Sequence, residues 1–389
     1  MKIRTIRDVN IENKRVFLRV DFNVSIKDGY IEDDFKIKAV LETIKYLLEK
    51  KAKIIIATHF GRPEGNVVPE FSLKIISKRL EELLGVKVGF ISDCIGEKVK
   101  EVVHSLESGE ILMLENLRFH KEEDENDETF ASELALLADI YVNDAFAVAH
   151  RENASVSAIT KFIPSYAGFL MEKEYNILSD VYDNPKKPLV IVMGGSKILT
   201  KVKLIKRFLD KADHILVGGV IANVILNAKG ISIGKSKLDD GVIAEFASLD
   251  LSSPKLHMPI DLVVAKEISE NAETRIVATG NVVADDIILD IGPLSVDYFS
   301  NIIKDANIII WNGPLGYFEM NKFAKGTNNF ASALCNNKAY RIVGGGESIV
   351  ALAQKGELED IDFVSTGGGA MLGLLAGDPM PGIINLLVN

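Results

Sequence analysis

The chain has 389 residues, 47% hydrophobic and 26% charged, which excludes a disordered, collagen-like or disulfide-stapled protein. Its 55 acidic residues outnumber 45 Lys and Arg, and the net charge of −10 argues against nucleic acid or an anionic membrane as a partner. No apolar run approaches the ~18 residues of a membrane span, and the first ten residues lack the apolar stretch of a signal peptide. A soluble, unexported, cytoplasmic protein is expected. Cys94 and Cys335 stand far apart and outside any Cys-x-x-Cys pattern, which speaks against a disulfide or zinc site and fits a reducing compartment.

Short β-branched runs alternate with helical patterns along the whole chain. Strands are expected over Arg15–Val24, Ala52–Phe60, Val86–Ser92, Ile111–Asn116 and Ile140–Phe146, and helices over Lys38–Lys50, Ser72–Leu84, Ile95–Leu106 and Thr129–Ala138. Lys53-Ile54-Ile55-Ile56-Ala57 is apolar at successive positions, as in a parallel strand buried on both faces. Met171–Tyr182 is an amphipathic helix that Pro185 and Pro188 terminate. Strands then recur at Pro188–Gly195, His214–Ile221, Leu256–Ala265, Ile308–Gly313, Tyr340–Gly346 and Asp362–Gly368. The pattern predicts an α/β protein of two doubly wound, Rossmann-like parallel-sheet domains joined by a helix and hinge. The expected limits are 1–170, 171–187 for the hinge and 188–371.

Ligands of open parallel sheets bind at the carboxyl ends of the strands. In the first half these ends carry Arg19-Val20-Asp21-Phe22-Asn23, Thr58-His59-Phe60-Gly61-Arg62, Glu115-Asn116-Leu117-Arg118-Phe119-His120 and Asn143 through His150-Arg151. Any one arginine is an ordinary surface residue. Several at equivalent positions repel one another unless an anion, a phosphate or carboxylate, lies between them. His59 and His150 fit either a ligand contact or a structural role.

Glycines occupy the corresponding ends in the second half: Gly194-Gly195, Gly218-Gly219, Gly313 with Gly316, Gly344-Gly345-Gly346 and Gly367-Gly368-Gly369. Bare backbone N–H groups ahead of a helix can approach phosphate oxygens, although any one such pair makes an ordinary turn. Gly230–Ser236 is one residue short of a Walker A loop, and no Gly-x-Gly-x-x-Gly follows the first strand. A nucleotide pocket of another kind is expected. Trp311 fits either a place beside the nucleotide or the core.

Ten motifs in order now identify a resemblance that runs nearly end to end. They are RVDFNV at 19–24, THFGRP at 58–63, LENLRF at 114–119, NDAFAVAHR at 143–151, GGSKILTK at 194–201, IGKS at 233–236, DIGP at 290–293, WNGPLGYFE at 311–319, VGGGES at 343–348 and STGGGA at 365–370. The sequence resembles the phosphoglycerate kinases. The resemblance implies reversible, Mg²⁺-dependent phosphoryl transfer between 1,3-bisphosphoglycerate and ADP, giving 3-phosphoglycerate and ATP. It implies a phosphoglycerate site of Asp21, Asn23, Lys36, His59, Arg62, Arg118 and Arg151. Nucleotide contacts are implied at Gly195, Lys201, Gly292, Asn312, Glu319, Gly344, Gly345, Gly346, Glu347 and Ser348, with Glu347 as metal ligand. Lys36, Lys197, Lys201 and the N–H groups of Gly367 and Gly368 are the implied catalytic groups. The tail, 372–389, is expected to return to the first domain, and the protein to act as a monomer by direct transfer after hinge closure.

Three positions depart from the family pattern. Lys36 stands where an arginine is usual, Glu347 replaces the aspartate after the glycine triplet, and Ala147-Val148 precede His150-Arg151. Two other readings stay open on the residues alone, a non-catalytic nucleotide sensor or scaffold on the same fold and an unrelated dinucleotide oxidoreductase.

Overall fold

The computed structural model describes residues 2–196, 198–238, 246, 249–354 and 356–388. Contacts divide the chain into two compact units, Met1–Leu178 with Asp378–Asn389, and Ser179–Gly377.

The first unit holds strands β1 (Lys2–Ile3), β2 (Arg15–Arg19), β3 (Ile26–Lys27), β4 (Tyr30–Ile31), β5 (Lys53–Ala57), β6 (Val88–Phe90), β7 (Ile111–Met113), β8 (Ile140–Asn143) and β9 (Ser165–Ala167). Six of them form a sheet in the order β6-β7-β5-β2-β8-β9, with every pairing parallel. Helices α1 (Phe35–Ala39), α2 (Leu41–Glu49), α3 (Lys74–Leu84), α4 (Glu97–Ser105) and α5 (Glu128–Ala135) accompany it. The unbroken apolar runs serve two cores at once. Val16, Leu18, Ile54 and Ile56 enter one cluster, while the alternate residues Phe17, Ile55 and Ala57 enter another. Side chains on a strand alternate between faces, so a sheet covered on both sides needs apolar residues at every position. Helix α6 (Phe169–Asp183) carries the chain onward.

The second unit repeats the plan with β10 (Leu189–Met193), β11 (His214–Val217), β12 (Leu256–His257), β13 (Asp261–Ala265), β14 (Thr274–Ala278), β15 (Ile287–Ile291), β16 (Ile308–Asn312), β17 (Tyr340–Gly344) and β18 (Phe363–Val364). Its parallel sheet runs β12-β11-β10-β16-β17-β18. The accompanying helices are α7 (Ile198–Phe208), α8 (Gly219–Ala228), α9 (Pro293–Ile303), α10 (Lys325–Cys335), α11 (Gly346–Ala353) and α12 (Gly368–Ala376). The chain then ends in the first unit with α13 (Pro381–Ile384) and β19 (Leu387–Val388), the latter antiparallel to β1.

Leu256–Ala265 is not one strand. It is two, β12 in the parallel sheet and β13 in a separate antiparallel sheet ordered β14-β13-β15. Pro259 lies between them and cannot donate to a ladder, so the apolar run breaks there. Arg15–Val24 likewise stops early, at Arg19, which frees Val20–Asn23 to form a loop at the sheet edge. Among the described residues no helix is long and apolar enough to cross a membrane.

Candidate active site

In the first unit, the loops after β2, β5 and β7 are tied into one edge. Phe22 N–H donates to Thr58 Oγ1 at 2.9 Å, and Gly61 N–H donates to Asn23 Oδ1 at 3.0 Å. Asn116 works from both ends of its amide: it donates to Phe60 O at 2.7 Å and to Phe71 O at 3.0 Å, and it accepts from Phe60 N–H and Arg118 N–H, both at 3.1 Å. These bonds set the positions of the charged groups. Lys36, from the first turn of α1, reaches Asp21 Oδ2 at 2.7 Å. Arg118 is buried, donating to Gly61 O at 3.0 Å and pairing with Asp124 at 3.2 Å.

Arg62 is exposed and Arg151 half-buried, and neither side chain has a hydrogen-bond or ion-pair partner among the described residues. Burial lowers the Arg151 guanidinium pKa, and the positive charge of Arg118 adds to the effect. Asp21 and Asp124 offset part of the charge at Arg151, yet neither Arg62 nor Arg151 is tied to a carboxylate, and guanidinium groups gathered in this way suit an anionic ligand.

Arg19 does not share that rim. Its side chain is fully buried, donating from Nε to Ser155 Oγ at 2.7 Å, bonding to Val20 O, and standing 3.7 Å from Glu123. Its Nη2 also lies 3.4 Å from His59 Nδ1. A guanidinium can only donate, so His59 Nδ1 accepts and the ring proton resides on Nε2. Burial disfavours the His59 cation, and Arg19, Arg118 and Lys36 disfavour it further against the pull of Asp21, so the ring is neutral at pH 7. Arg19 therefore sets the tautomer of His59 from beneath the rim. His150 is likewise held neutral, by burial and by Arg151.

In the second unit the ends of three strands stand level, with Met193, Asn312 and Gly344 aligned across β10, β16 and β17. The turns that follow converge. A β-carbon placed on Gly195 would lie 3.1 Å from Lys201 Nζ and 3.2 Å from Glu347 Oε2. Gly313 has φ +88°, and a β-carbon there would meet Gly194 O at 2.4 Å and Lys201 Nζ at 2.7 Å. Gly368, at the start of α12, would bring one within 2.6 Å of Gly345 Cα. Only glycine permits the backbone approaches at Gly313 and Gly368. Lys201 is buried and donates to Gly194 O. The result is a cradle of bare backbone with the buried ammonium of Lys201 beside it, at the N-terminal ends of α7, α11 and α12.

A family model described as phosphoglycerate kinase matches residues 6–378. The chain belongs to the phosphoglycerate kinase family. It is 42% identical to phosphoglycerate kinase of Finegoldia magna, over 98% of each chain. Its identity to that of Pelotomaculum thermopropionicum is also 42%, over the full length of both. Phosphoglycerate kinase from Coxiella burnetii has a similar structure, with a TM-score of 0.87 at 38% identity over 99% of this chain and 98% of that one. The Pyrococcus horikoshii enzyme gives 0.85 at 35% identity over the same shares. Both resemble the two-sheet α/β architecture described above, and the chain is a phosphotransferase.

Phosphoglycerate kinases use Mg²⁺ with the nucleotide, and the residues present suit that ion. Glu347 is exposed in the first turn of α11 and directs Oε2 toward the Gly195 turn. Mg²⁺ is commonly held by one or two carboxylates together with phosphate oxygens and water.

Other expected nucleotide residues make contacts within the fold itself. Asn312 Nδ2 donates to Gly344 O at 2.7 Å, and Ser348 Oγ accepts from Gly313 N–H at 2.6 Å, so both shape turns. Gly367 N–H reaches Ser365 Oγ at 3.3 Å. Gly292 gives its N–H to Asp261 O at 2.9 Å and lies against the Asp261 carboxylate that caps α9. Glu319 is exposed and has no side-chain hydrogen bond or ion pair among the described residues. Lys197 and its expected catalytic role lie outside the described residues. Trp311 is a core residue, fully buried edge-on to Phe330 at 5.7 Å, with its indole N–H on Gly313 O at 2.8 Å.

Sequence reasoning missed Thr327 and the part played by Gly219. Thr327 Oγ1 accepts from both Leu315 and Gly316 N–H at 3.1 Å and holds the Pro314-Leu315-Gly316 turn. Gly219 would press a β-carbon to 2.8 Å from Gly195 N. The Gly218-Gly219 pair was the one visible signal. Thr327, within a helix, carried none.

Proposed function

We infer that this chain carries out the family reaction, reversible transfer of a phosphoryl group between 1,3-bisphosphoglycerate and ADP to give 3-phosphoglycerate and ATP. In this reading Arg62, Arg118 and Arg151, with Lys36, Asn23, Asp21 and His59, hold the phosphoglycerate. The turns around Gly195, Gly313, Gly345 and Gly368 hold the nucleotide phosphates. The observation that carries the assignment is the pair of arginines, Arg62 and Arg151, whose side chains make no direct hydrogen bond or ion pair among the described residues and which carry like charge to the buried Arg118.

The acceptor is an ionised carboxylate in one direction and an ADP phosphate oxygen in the other, so no group need remove a proton. Neutral His59 fits this demand, since it offers an Nε2–H donor and no catalytic base is required. Phosphoryl transfer depends on in-line positioning and on charge around the equatorial oxygens. Lys201 supplies such a charge next to the Gly313 turn, and the first N–H groups of α12 supply fixed dipoles. Mg²⁺ held by Glu347 would neutralise nucleotide phosphate charge. Lys36 adds a cation without the two-pronged geometry of an arginine. The acting unit in this reading is a monomer. The cysteine usage supports a cytoplasmic location.

A coupled assay with ATP and 3-phosphoglycerate tests the reading. Turnover that requires Mg²⁺, with a raised KM for 3-phosphoglycerate in Arg62→Ala, is expected. Nucleotide binding without turnover would mark a sensor instead.

A further inference from the structure

One side-chain cluster in the first unit belongs to neither set above. Asp93 and Cys94 follow β6, and His120 follows the short turn Leu117–Phe119 after β7. β6 and β7 are paired neighbours, so the two loops emerge side by side, with Glu115 N–H on Asp93 O at 3.3 Å. His120 Nε2 lies 2.8 Å from Asp93 Oδ1, and Cys94 N–H donates to that same oxygen at 2.7 Å. Sγ of Cys94, a carboxylate oxygen of Asp93 and a ring nitrogen of His120 all stand within 4.8 Å of one another. The Cys94 side chain is buried, His120 is partly exposed and Asp93 is exposed, so the cluster opens to solvent from the carboxylate side. The Phe130 ring lies beside the imidazole at 5.3 Å and limits its rotation.

We propose that Asp93, Cys94 and His120 form a binding site for a thiophilic divalent cation of the zinc class. One thiolate, one imidazole and one carboxylate are the donors that Zn²⁺ prefers, and three protein ligands leave a fourth position for water. The charges also balance: a thiolate and a carboxylate together carry −2 against the +2 of the ion. On binding, the Cys94 thiol proton leaves to solvent. The Nε2 proton of His120 shifts to Nδ1, so that Nε2 presents its lone pair to the metal in place of the Asp93 contact. Glu115 and Glu123 add negative potential around the site without being ligands, and they join burial and Asp93 in holding the empty thiol protonated. This site is separate from the Mg²⁺–nucleotide carboxylate Glu347, and it takes a softer ion.

Cobalt(II) titration of the full chain under non-thiol reducing conditions tests the site, because Co²⁺ replaces Zn²⁺ and its thiolate bond absorbs in the near ultraviolet. One equivalent should produce that band, and Zn²⁺ should abolish it. Cys94→Ser and His120→Asn should each lose it, whereas Cys335→Ala should keep it. Co²⁺ held by oxygen ligands at a nucleotide site gives no thiolate band, so the two locations are distinguishable. Absence of the band in the unmodified chain would overturn the proposal, as would a band lost with Cys335→Ala and kept in Cys94→Ser. His120→Asn leaves the buried thiol in place, and thermal melting of that variant separates loss of metal from loss of fold.

Discussion

The two units each carry a six-stranded parallel sheet, and in the proposed reading they hold phosphate in opposite ways. The first presents charge on side chains, with Arg62, Arg118 and Arg151 at the loops of parallel strands, Lys36 on α1 and the neutral His59 close by. The second presents few side chains: Gly194, Gly313 and Gly368 bring backbone together so closely that a single methyl group would not fit, and Lys201 is the one buried cation there among the described residues. A side-chain site loses charge one residue at a time. A backbone site fails through shape. The first should therefore degrade in steps of affinity, and the second in rate.

The largest effect expected is at Lys201. Lys201→Ala removes the ammonium next to the Gly313 turn and should lower kcat by about 10²–10³-fold, by analogy with the loss of one transition-state donor. Steady-state kinetics would place Lys201 outside the reaction if kcat held and only KM for the nucleotide changed. In the first unit, Arg151→Ala should act on binding. Hydrogen bonds to charged groups contribute roughly 1.5–3 kcal/mol, so KM for 3-phosphoglycerate should rise about 10–100-fold while KM for ATP stays put. Equal rises in both would erase the division of labour between the units.

Glu347→Ala sharpens the same contrast within the second unit. Titration calorimetry should show weaker Mg-nucleotide binding and unchanged 3-phosphoglycerate binding; a loss confined to phosphoglycerate would remove Glu347 from the metal.

The smallest effect concerns stability. Burial raises the Asp144 carboxyl of the first unit to about 7 and the Asp290 carboxyl of the second to about 8. An unfolded carboxyl titrates near ~4, so the folded state binds these protons more tightly. The stability they contribute is complete below about pH 4 and is lost as pH rises through 7 and 8. Asp144→Asn should flatten the fall in melting temperature between pH 5 and 8, because the Asp144 Oδ1 that accepts from Met171 N–H has its counterpart in the amide. An unchanged slope would show that Asp144 is ionised in the fold.

Much of this was readable from residue order. Lys53–Ala57 announced a doubly covered strand because both of its faces are buried, and the helix over Met171–Tyr182 appears as Phe169–Asp183. The glycine clusters pointed to the turns that do converge. Arg19 was misread because its partners, Ser155 and Glu123, come from distant loops; Ser155 lies 136 residues away. The antiparallel sheet of β13, β14 and β15 was not foreseen, since Thr274–Ala278 is largely exposed and has no buried face to announce it. Asp93 and Cys94 give no sign of His120, for no local spacing links them.

Residue type and order alone determined most of the parallel strands, the glycine turns and the family, because burial on two faces and close backbone approach each demand particular side chains at particular intervals. Whether a charge faces a ligand or a buried partner was decided only by the tertiary structure. Arg19 and Arg151 carry the same group, and what separates them is desolvation and the neighbours that packing delivers from elsewhere in the chain.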